Sequence, residues 1–191
     1  MKIAAIIPAR GGSKRLKRKN IYPIWGKPML FWAVQACKRS GYDIDVWVST
    51  EDDEIASVAE SCGAKVIRRD PSLAGDNVYK QAVIRSAAQT IKEQTNPDIY
   101  ISLQANSPEI KAGYLDEAID TLLRHDRDEL FSVDGNLMQN AAFRIFKGDY
   151  VFQEDLSTNC GVFVCPLDDV HTLEDAEGLN DHGICPDVFE G

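Results

Sequence analysis

The sequence predicts an α/β fold in which helices cover both faces of a mostly parallel sheet, giving three layers. Short apolar runs alternate with amphipathic segments of helical spacing along the chain, and this alternation is typical of βαβ units. The chain has 191 residues, of which 44% are apolar, so it can bury a substantial core as one domain. It contains no internal repeat, low-complexity tract or evident linker, which predicts a single domain over residues 1–191.

The first predicted strand covers residues 2–7 (KIAAII), a short apolar run that ends at Pro8. A stretch rich in glycine and cations follows and predicts a loop. The first helix is predicted at 28–39, where apolar residues recur at helical spacing until Gly41 stops them. This order of strand, glycine-rich loop and helix is typical of a βαβ unit that binds a ligand in its first loop.

The rest of the chain continues the same alternation. The further predicted strands are residues 45–49, 65–67, 98–103, 131–133, 143–146 and 160–164. The further predicted helices are residues 52–62, 77–94, 114–124 and a final turn at 173–179. Since ligands bind beyond the carboxyl ends of the strands in such a sheet, the loops after 2–7 and 98–103 mark the expected site.

Positive charge is concentrated at the start of a chain that is otherwise acidic. The net charge is −9, yet residues 1–39 hold ten of the 21 Lys and Arg residues and none of the 30 Asp and Glu residues. A basic segment on an acidic protein indicates a local anion site, although a solvated basic surface explains the charge alone equally well. The acidic total argues against nucleic acid as the main partner.

Several absences indicate a cytoplasmic protein without a membrane partner. No apolar run approaches the roughly 20 residues that cross a bilayer. The apolar stretch before Pro8 is too short for a signal peptide. The five cysteines are odd in number and widely scattered, which argues against a disulfide framework and suits a reducing compartment.

The loop at residues 8–15 (PARGGSKR) predicts a phosphate-binding site. Paired glycines let the backbone approach an anion closely and turn its N–H groups towards it. Arg10 and Lys14 would supply charge against a triphosphate, with Lys19 as a third cation. The P-loop pattern GxxxxGK[ST] is absent, since Gly26-Lys27 is followed by Pro28. The dinucleotide-binding fingerprint GxGxxG is absent as well.

Four longer stretches extend this pattern over nearly the whole chain: IIPARGGSKRLKRKNIYPIWGKPML, VSTEDDEIASVAESCGAKVIRRDPSLAGDN, SLQANSPE and DVHTLEDAEGL. In this order they resemble the motifs of the acylneuraminate cytidylyltransferase family, which includes CMP-sialic acid and CMP-Kdo synthetases. The resemblance implies a Rossmann-like nucleotidyltransferase fold with a mixed sheet. It also implies a homodimeric enzyme that transfers CMP from CTP, with Mg²⁺, to a sugar acid of the sialic acid, Kdo or nonulosonic type and releases pyrophosphate.

The resemblance also assigns site residues. The implied nucleotide-binding residues are Ala9, Arg10, Gly11, Gly12, Ser13, Lys14, Lys19, Asn20, Arg69 and Gln104. The implied catalytic residues are Arg10, Lys14, Lys19 and Asp169, and Asp169 is also the implied metal ligand. Cations at these positions would neutralise two anionic substrates, so that positioning and electrostatics supply most of the rate.

The sequence departs from the family pattern at several points. His171 stands where the family has a second late aspartate. Either metal binding is weakened, or Asp168 or Asp175 compensates, or the metal differs. Residues 105 and 106 are altered, and the segment 109–159, which builds the dimer and the sugar site in the family, is short. Two alternatives follow: a nucleotide-sugar-binding protein without catalysis, and a nucleotidylyltransferase that uses another NTP or a sugar phosphate.

Overall fold

The computed structural model describes residues 1–186 and, at position 141, the backbone only. It contains a seven-stranded mixed sheet in the order β5-β4-β1-β6-β8-β7-β9 and a separate hairpin, β2-β3. The strands are β1 (Ile3–Pro8), β2 (Pro23–Ile24), β3 (Lys27–Pro28), β4 (Ile44–Thr50), β5 (Lys65–Arg68), β6 (Ile99–Leu103), β7 (Glu129–Val133), β8 (Gln139–Lys147) and β9 (Cys160–Val164). The helices are α1 (Met29–Lys38), α2 (Asp53–Ser61), α3 (Lys80–Gln94), α4 (Ala112–Arg124) and α5 (Leu173–His182).

The sheet is mostly parallel, as predicted. β1 pairs in parallel with β4 and β6, β4 pairs in parallel with β5, and β7 pairs in parallel with β9. β8 is antiparallel to both of its neighbours, β6 and β7, and it alone reverses direction among the strands of this sheet in residues 1–186. The carboxyl ends of β1, β4 and β6 therefore meet at one edge.

Helices cover both faces of the sheet, which confirms the predicted three layers. The first strand shows why: Ile3, Ala5 and Ile7 pack on the face covered by α1, α2 and α4. Ala4 and Ile6 pack on the opposite face, against α3. Because side chains alternate along a strand, a strand that is apolar at every position must be buried on both faces.

A third, smaller core joins the two ends of the described chain. Ile24 of the hairpin and Trp32 of α1 pack with Val170 and with Ala176 of α5. The hairpin was not predicted. Its turn places Trp25 at φ 47° and Gly26 at φ 74°, a pair of left-handed residues that matches the twist of a two-residue hairpin.

Each predicted helix and strand is present with shifted boundaries, and the hairpin strands β2 and β3 are additional. The helix predicted from residue 77 begins three residues later, at Lys80, and leaves a loop at 74–79. The strand predicted at 143–146 extends over Gln139–Lys147, since its outer part pairs with β7. Within residues 1–186, every helix is either too short or too polar to cross a bilayer.

Candidate functional site

A cavity of about 490 Å³ opens at the edge where β1, β4 and β6 end. Seven of the predicted site residues line it: Arg10, Ser13, Lys14, Lys19, Asn20, Arg69 and Gln104. Ala9, Gly11 and Gly12 lie in the same loop without lining the cavity. Ala9 instead extends β1 by donating its backbone N–H to the Ser49 carbonyl at 2.9 Å, and its side chain is buried in the core.

The glycine turn is held by the carboxylate of Glu51, an anion from the protein itself. The Gly11 N–H donates to Oε1 of Glu51 at 2.8 Å. A Cβ atom at position 11 would lie 3.0 Å from Cβ of Asp52 and would overlap its carboxylate. A Cβ atom at Gly12 would meet nothing within 4 Å. Gly11 is therefore needed for packing against the start of α2, whereas Gly12 is not constrained by sterics.

Two cations of the loop share one carboxylate. Nη1 of Arg10 donates to Oδ1 of Asp76 at 2.6 Å, and Lys14 forms an ion pair with Oδ2 of the same group. The hydrogen bonds from Lys14 and then Arg10 hold the pKa of Asp76 below its usual value. Sequence reasoning did not single out Asp76, which lies in the loop before α3. Its carboxylate occupies the position between two cations that a phosphate group would favour.

Lys19 and Asn20 lie in a short 3-10 turn, Lys19–Ile21, below the glycine loop. Nδ2 of the buried Asn20 donates to the Arg10 carbonyl at 2.9 Å and so fixes the backbone that carries the arginine. Burial lowers the pKa of Lys19, and the negative charge of Asp169 opposes that shift. Asn20 thus positions the loop, while Lys19 brings a partly desolvated positive charge to the cavity.

Arg69 is buried beneath the loop. Its guanidinium donates to the Ser49 carbonyl at 2.6 Å, and its Nη1 lies 3.9 Å from Oε2 of Glu51. Burial is the main cause that lowers the pKa of Arg69. Oε2 of Glu51 is buried and has no hydrogen-bond partner in residues 1–186. Glu51, which directly follows β4, therefore links the glycine turn to Arg69.

Asp169 lies between the loop that follows β6 and the start of α5; it does not line the cavity itself, although Asn106 and His171 do. The Ser107 hydroxyl donates to its Oδ1. Burial raises the pKa of Asp169, and the hydrogen bond from Ser107 together with the charges of His171, Lys80 and Lys19 opposes that shift. The Val170 N–H donates to the Asn106 carbonyl at 2.8 Å, so the late segment is joined directly to the loop that carries Gln104.

His171 lines the cavity and is exposed. Asp175 does not stand in for the missing aspartate, because its Oδ2 accepts the backbone N–H groups of His171 and Thr172 at 2.8 and 2.9 Å. Thr172 and Asp175 together form a capping box at the start of α5. Within residues 1–186, no group of three or more His, Cys, Asp and Glu side chains is arranged to hold a metal alone.

Lys80 is a further site residue that sequence reasoning missed. It is the first residue of α3 and lines the main cavity together with Gln104. The same two residues also line a neighbouring cavity of about 280 Å³, whose far wall includes Gln139 and Arg144. Lys80 could not be recognised because the helix was predicted to begin at residue 77, which places Lys80 inside the helix.

Known cytidylyltransferases are similar to this chain in sequence. The family model described as cytidylyltransferase matches residues 4–159. The chain is 37% identical over 131 residues to N-acylneuraminate cytidylyltransferase A of Danio rerio, an alignment of 69% of this chain with 30% of that protein. It is 35% identical over 134 residues to pseudaminic acid cytidylyltransferase of Campylobacter jejuni, covering 69% of this chain and 58% of the relative. The chain thus spans less than two thirds of the length of these relatives.

Solved structures show the same fold. A CMP:2-keto-3-deoxy-manno-octonic acid synthetase complexed with CTP matches with a TM-score of 0.77 and 17% identity, covering 95% of this chain and 98% of that one. A cytidylyltransferase from Leptospira borgpetersenii matches with a TM-score of 0.72 and 22% identity, covering 94% and 85%. The family match ends before Asp169, whose role stays a prediction. Because the match includes most of the cavity and more than half of the chain, the chain belongs to the cytidylyltransferase family.

Proposed function

We propose that this protein transfers CMP from CTP to an acidic sugar and releases pyrophosphate. The observation that carries the proposal is the cluster of Arg10, Lys14, Lys19 and Arg69 around one cavity, on a chain whose net charge is −9. A concentration of positive charge against the overall sign of the protein favours an anionic ligand. The relatives are named for N-acylneuraminate and pseudaminic acid, and both names denote acidic sugars.

In this proposal the cations of the first loop bind the phosphate chain. Arg10 and Lys14 exchange Asp76 for the β- and γ-phosphates, and Lys19 approaches from the turn below. The sugar hydroxyl attacks the α-phosphorus, and the bond to the β-phosphate breaks. Positive charge around the leaving group stabilises the pyrophosphate, and the fixed loop aligns it with the attacking oxygen.

Asp169 fits the role of one metal ligand. Mg²⁺ prefers oxygen and usually binds through one or two carboxylates together with substrate phosphates, so a complete protein cage is not required. Ser107 donates to one oxygen of Asp169 and so orients the carboxylate. We propose that Asp169 would hold Mg²⁺ that arrives with the nucleotide. When bound, the metal would neutralise phosphate charge.

The decisive experiment is pyrophosphate release with CTP, Mg²⁺ and a panel of sialic, pseudaminic and Kdo-type acids. Turnover with CTP and one of these acids supports the proposal, and the same assay with ATP, GTP, UTP and sugar phosphates tests the other nucleotidylyltransferases. A thermal-shift screen supports the choice of base, since a ligand at a hundred times its Kd adds about 2.7 kcal/mol of stability.

A binding protein without catalysis is the second candidate, and His171 in place of a second late aspartate near Asp169 favours it. It predicts tight CTP or CMP-sugar binding without pyrophosphate release. It also predicts that His171→Asp, which adds an oxygen ligand at the cavity, restores turnover that depends on Mg²⁺. Turnover by the unmodified protein rejects this candidate.

We further propose that the protein works in the cytoplasm as a homodimer, with residues 1–191 forming one domain. No disulfide joins the cysteines of residues 1–186, which suits a reducing compartment.

The edge strand β9 exposes two valines, Val162 and Val164. Val164 pairs with Val133, which lies near the tip of the β7-β8 hairpin. That tip exposes Leu137 and Met138. This apolar edge, within and beside the segment 109–159, is the proposed contact. Light scattering of the purified protein measures its mass in solution.

A further inference from the structure

Lys80 occupies the junction of two cavities. The main cavity of about 490 Å³ and the second cavity of about 280 Å³ share two lining residues, Lys80 and Gln104. If the nucleotide fills the first and an acidic sugar enters the second, the new bond must form between them. The residues common to both walls therefore lie closest to the reacting atoms.

The charge of Lys80 is not neutralised in the way that the loop cations are. Arg10 and Lys14 both pair with Asp76, whereas Nζ of Lys80 makes neither a hydrogen bond nor an ion pair with any residue from 1 to 186. The cavity leaves Lys80 accessible, yet the protein around its ammonium group partly desolvates it and lowers its pKa. The negative charge of Asp169 opposes this shift, and it acts on Lys19 as well.

The position of Lys80 in its helix is electrostatically unfavourable. It is the first residue of α3, at the positive end of the helix dipole, where an acidic residue would be stabilising. The first turn of α3 contains no acidic residue, and Tyr79 provides no side-chain cap. A lysine there costs helix stability and adds to the positive potential at the cavity junction, which is typical of a residue retained for a site.

We propose that Lys80 is a catalytic residue that donates a hydrogen bond to a non-bridging oxygen of the α-phosphate. This inference rests on the proposed function. As the sugar oxygen bonds to the α-phosphorus, the bond to the β-phosphate breaks and its electron pair leaves with pyrophosphate, while the hydroxyl proton passes to water. A cation aimed at the α-phosphate oxygens stabilises the crowded, highly charged transition state more than the bound substrate.

The test compares Lys80→Gln and Lys80→Arg with Lys92→Gln, which removes the same charge from the far end of the same helix. Lys92 pairs with Asp149 at 2.6 Å and lies outside both cavities. We expect Lys80→Gln to lower kcat about 10²–10³-fold, the usual cost of one lost transition-state donor. KM and the calorimetric Kd for CTP should change only a few-fold, Lys80→Arg should recover part of the rate, and Lys92→Gln should match the wild type.

CTP analogues with sulfur on the α-phosphate distinguish a direct contact from a purely structural role of Lys80, because a structural role would leave the effect of sulfur on the rate unchanged. Sulfur at one non-bridging α-position of CTP should slow the wild type more than it slows Lys80→Gln, because the variant has already lost the contact. Three results overturn this inference alone. Lys80→Gln turns over as fast as the wild type, or it loses only affinity for CTP and keeps its kcat, or sulfur slows it as much as it slows the wild type. Absence of turnover in the wild type, with CTP bound and every sugar acid tried, overturns the proposed function and this inference together.

Discussion

Oδ1 of Asp76 accepts a hydrogen bond from Nη1 of Arg10 at 2.6 Å, across 66 positions of sequence. Lys14 reaches the other oxygen of the same carboxylate. One acidic side chain thus neutralises two cations of the loop that we assign to the triphosphate. A nucleotide must displace this carboxylate before it can bind both cations.

Replacing Asp76 by Asn is therefore expected to tighten CTP binding. The variant removes the internal competitor and leaves both cations without this partner, which we expect to lower Kd roughly threefold to tenfold, since exposed ion pairs are weak. Titration calorimetry at two salt concentrations measures the effect. Asp149→Asn is the control, because it removes the same charge on the exposed pair with Lys92. Weaker CTP binding by the Asp76 variant would show that this carboxylate assists the nucleotide.

Removing the two loop cations tests the site itself. The double variant Arg10→Ala and Lys14→Ala should raise the Kd for CTP about 100-fold or more, since hydrogen bonds to charged groups contribute about 1.5–3 kcal/mol each. The matched control is Lys17→Ala with Lys27→Ala, which removes the same charge from the same basic segment outside the cavity. Equal losses in the two double variants would mean that the net charge of the segment, and no local site, attracts the nucleotide.

The two glycines of the loop should differ in stability. Gly11→Ala places a methyl group against Asp52 and should lower the free energy of unfolding by about 1–3 kcal/mol, as overpacking usually does. Gly12→Ala meets open space and should change it by less than about 0.5 kcal/mol. Urea denaturation measures both variants. Equal stabilities would contradict the packing of the loop against the start of α2.

Asp52 should make the stability depend on acid pH. The side-chain hydrogen bond from Arg18 and the backbone N–H of Ile55 lower its pKa in the folded state, against the opposing effect of burial. A carboxyl group with a lowered folded pKa stabilises the protein fully above its unfolded pKa of about 3.9, and that stabilisation disappears as the pH falls through the folded pKa.

Asp52→Asn isolates this effect, because Asn caps a helix about as well as Asp but carries no charge. The wild type should exceed the variant in free energy of unfolding by a constant amount from pH 7 to about pH 5. The difference should shrink below about pH 4. Urea denaturation across this range measures it. A difference that stays constant down to pH 2 would show that the ion pair with Arg18 does not contribute.

The order of elements could be predicted from the sequence because local patterns carry it. In the run KIAAII, every residue after the lysine is apolar, so the strand is apolar on both of its faces. Asp52 stands at the start of an amphipathic segment, where it caps α2. The hairpin at residues 23–28 was missed because Trp25 adopts a left-handed conformation that tryptophan rarely takes. Gly26 beside a tryptophan is only a weak local signal for such a turn.

The cations of the site could be predicted, but their partners could not. Arg10 and Lys14 stand out beside paired glycines, and the cavity includes both. Asp76, Glu51 and Lys80 reach the site only through the packing of α2 and α3, and nothing in their neighbouring residues marks them. Contacts between segments that are far apart in the sequence cannot be predicted from the local spacing of apolar residues. The carboxylate that accepts the Gly11 amide, Glu51, could not be predicted for the same reason.

The two ends of the described chain are fastened to each other. Asn180 of α5 accepts the Trp25 backbone N–H at 2.7 Å, and the Trp25 indole donates to the Leu179 carbonyl at 3.1 Å. Asp169 stands just before the helix that these bonds anchor. A chimaera that takes residues 160–186 from another cytidylyltransferase would therefore have to take the hairpin of that protein as well. Otherwise the helix that follows the transplanted aspartate would lose the hydrogen bonds that hold it in place.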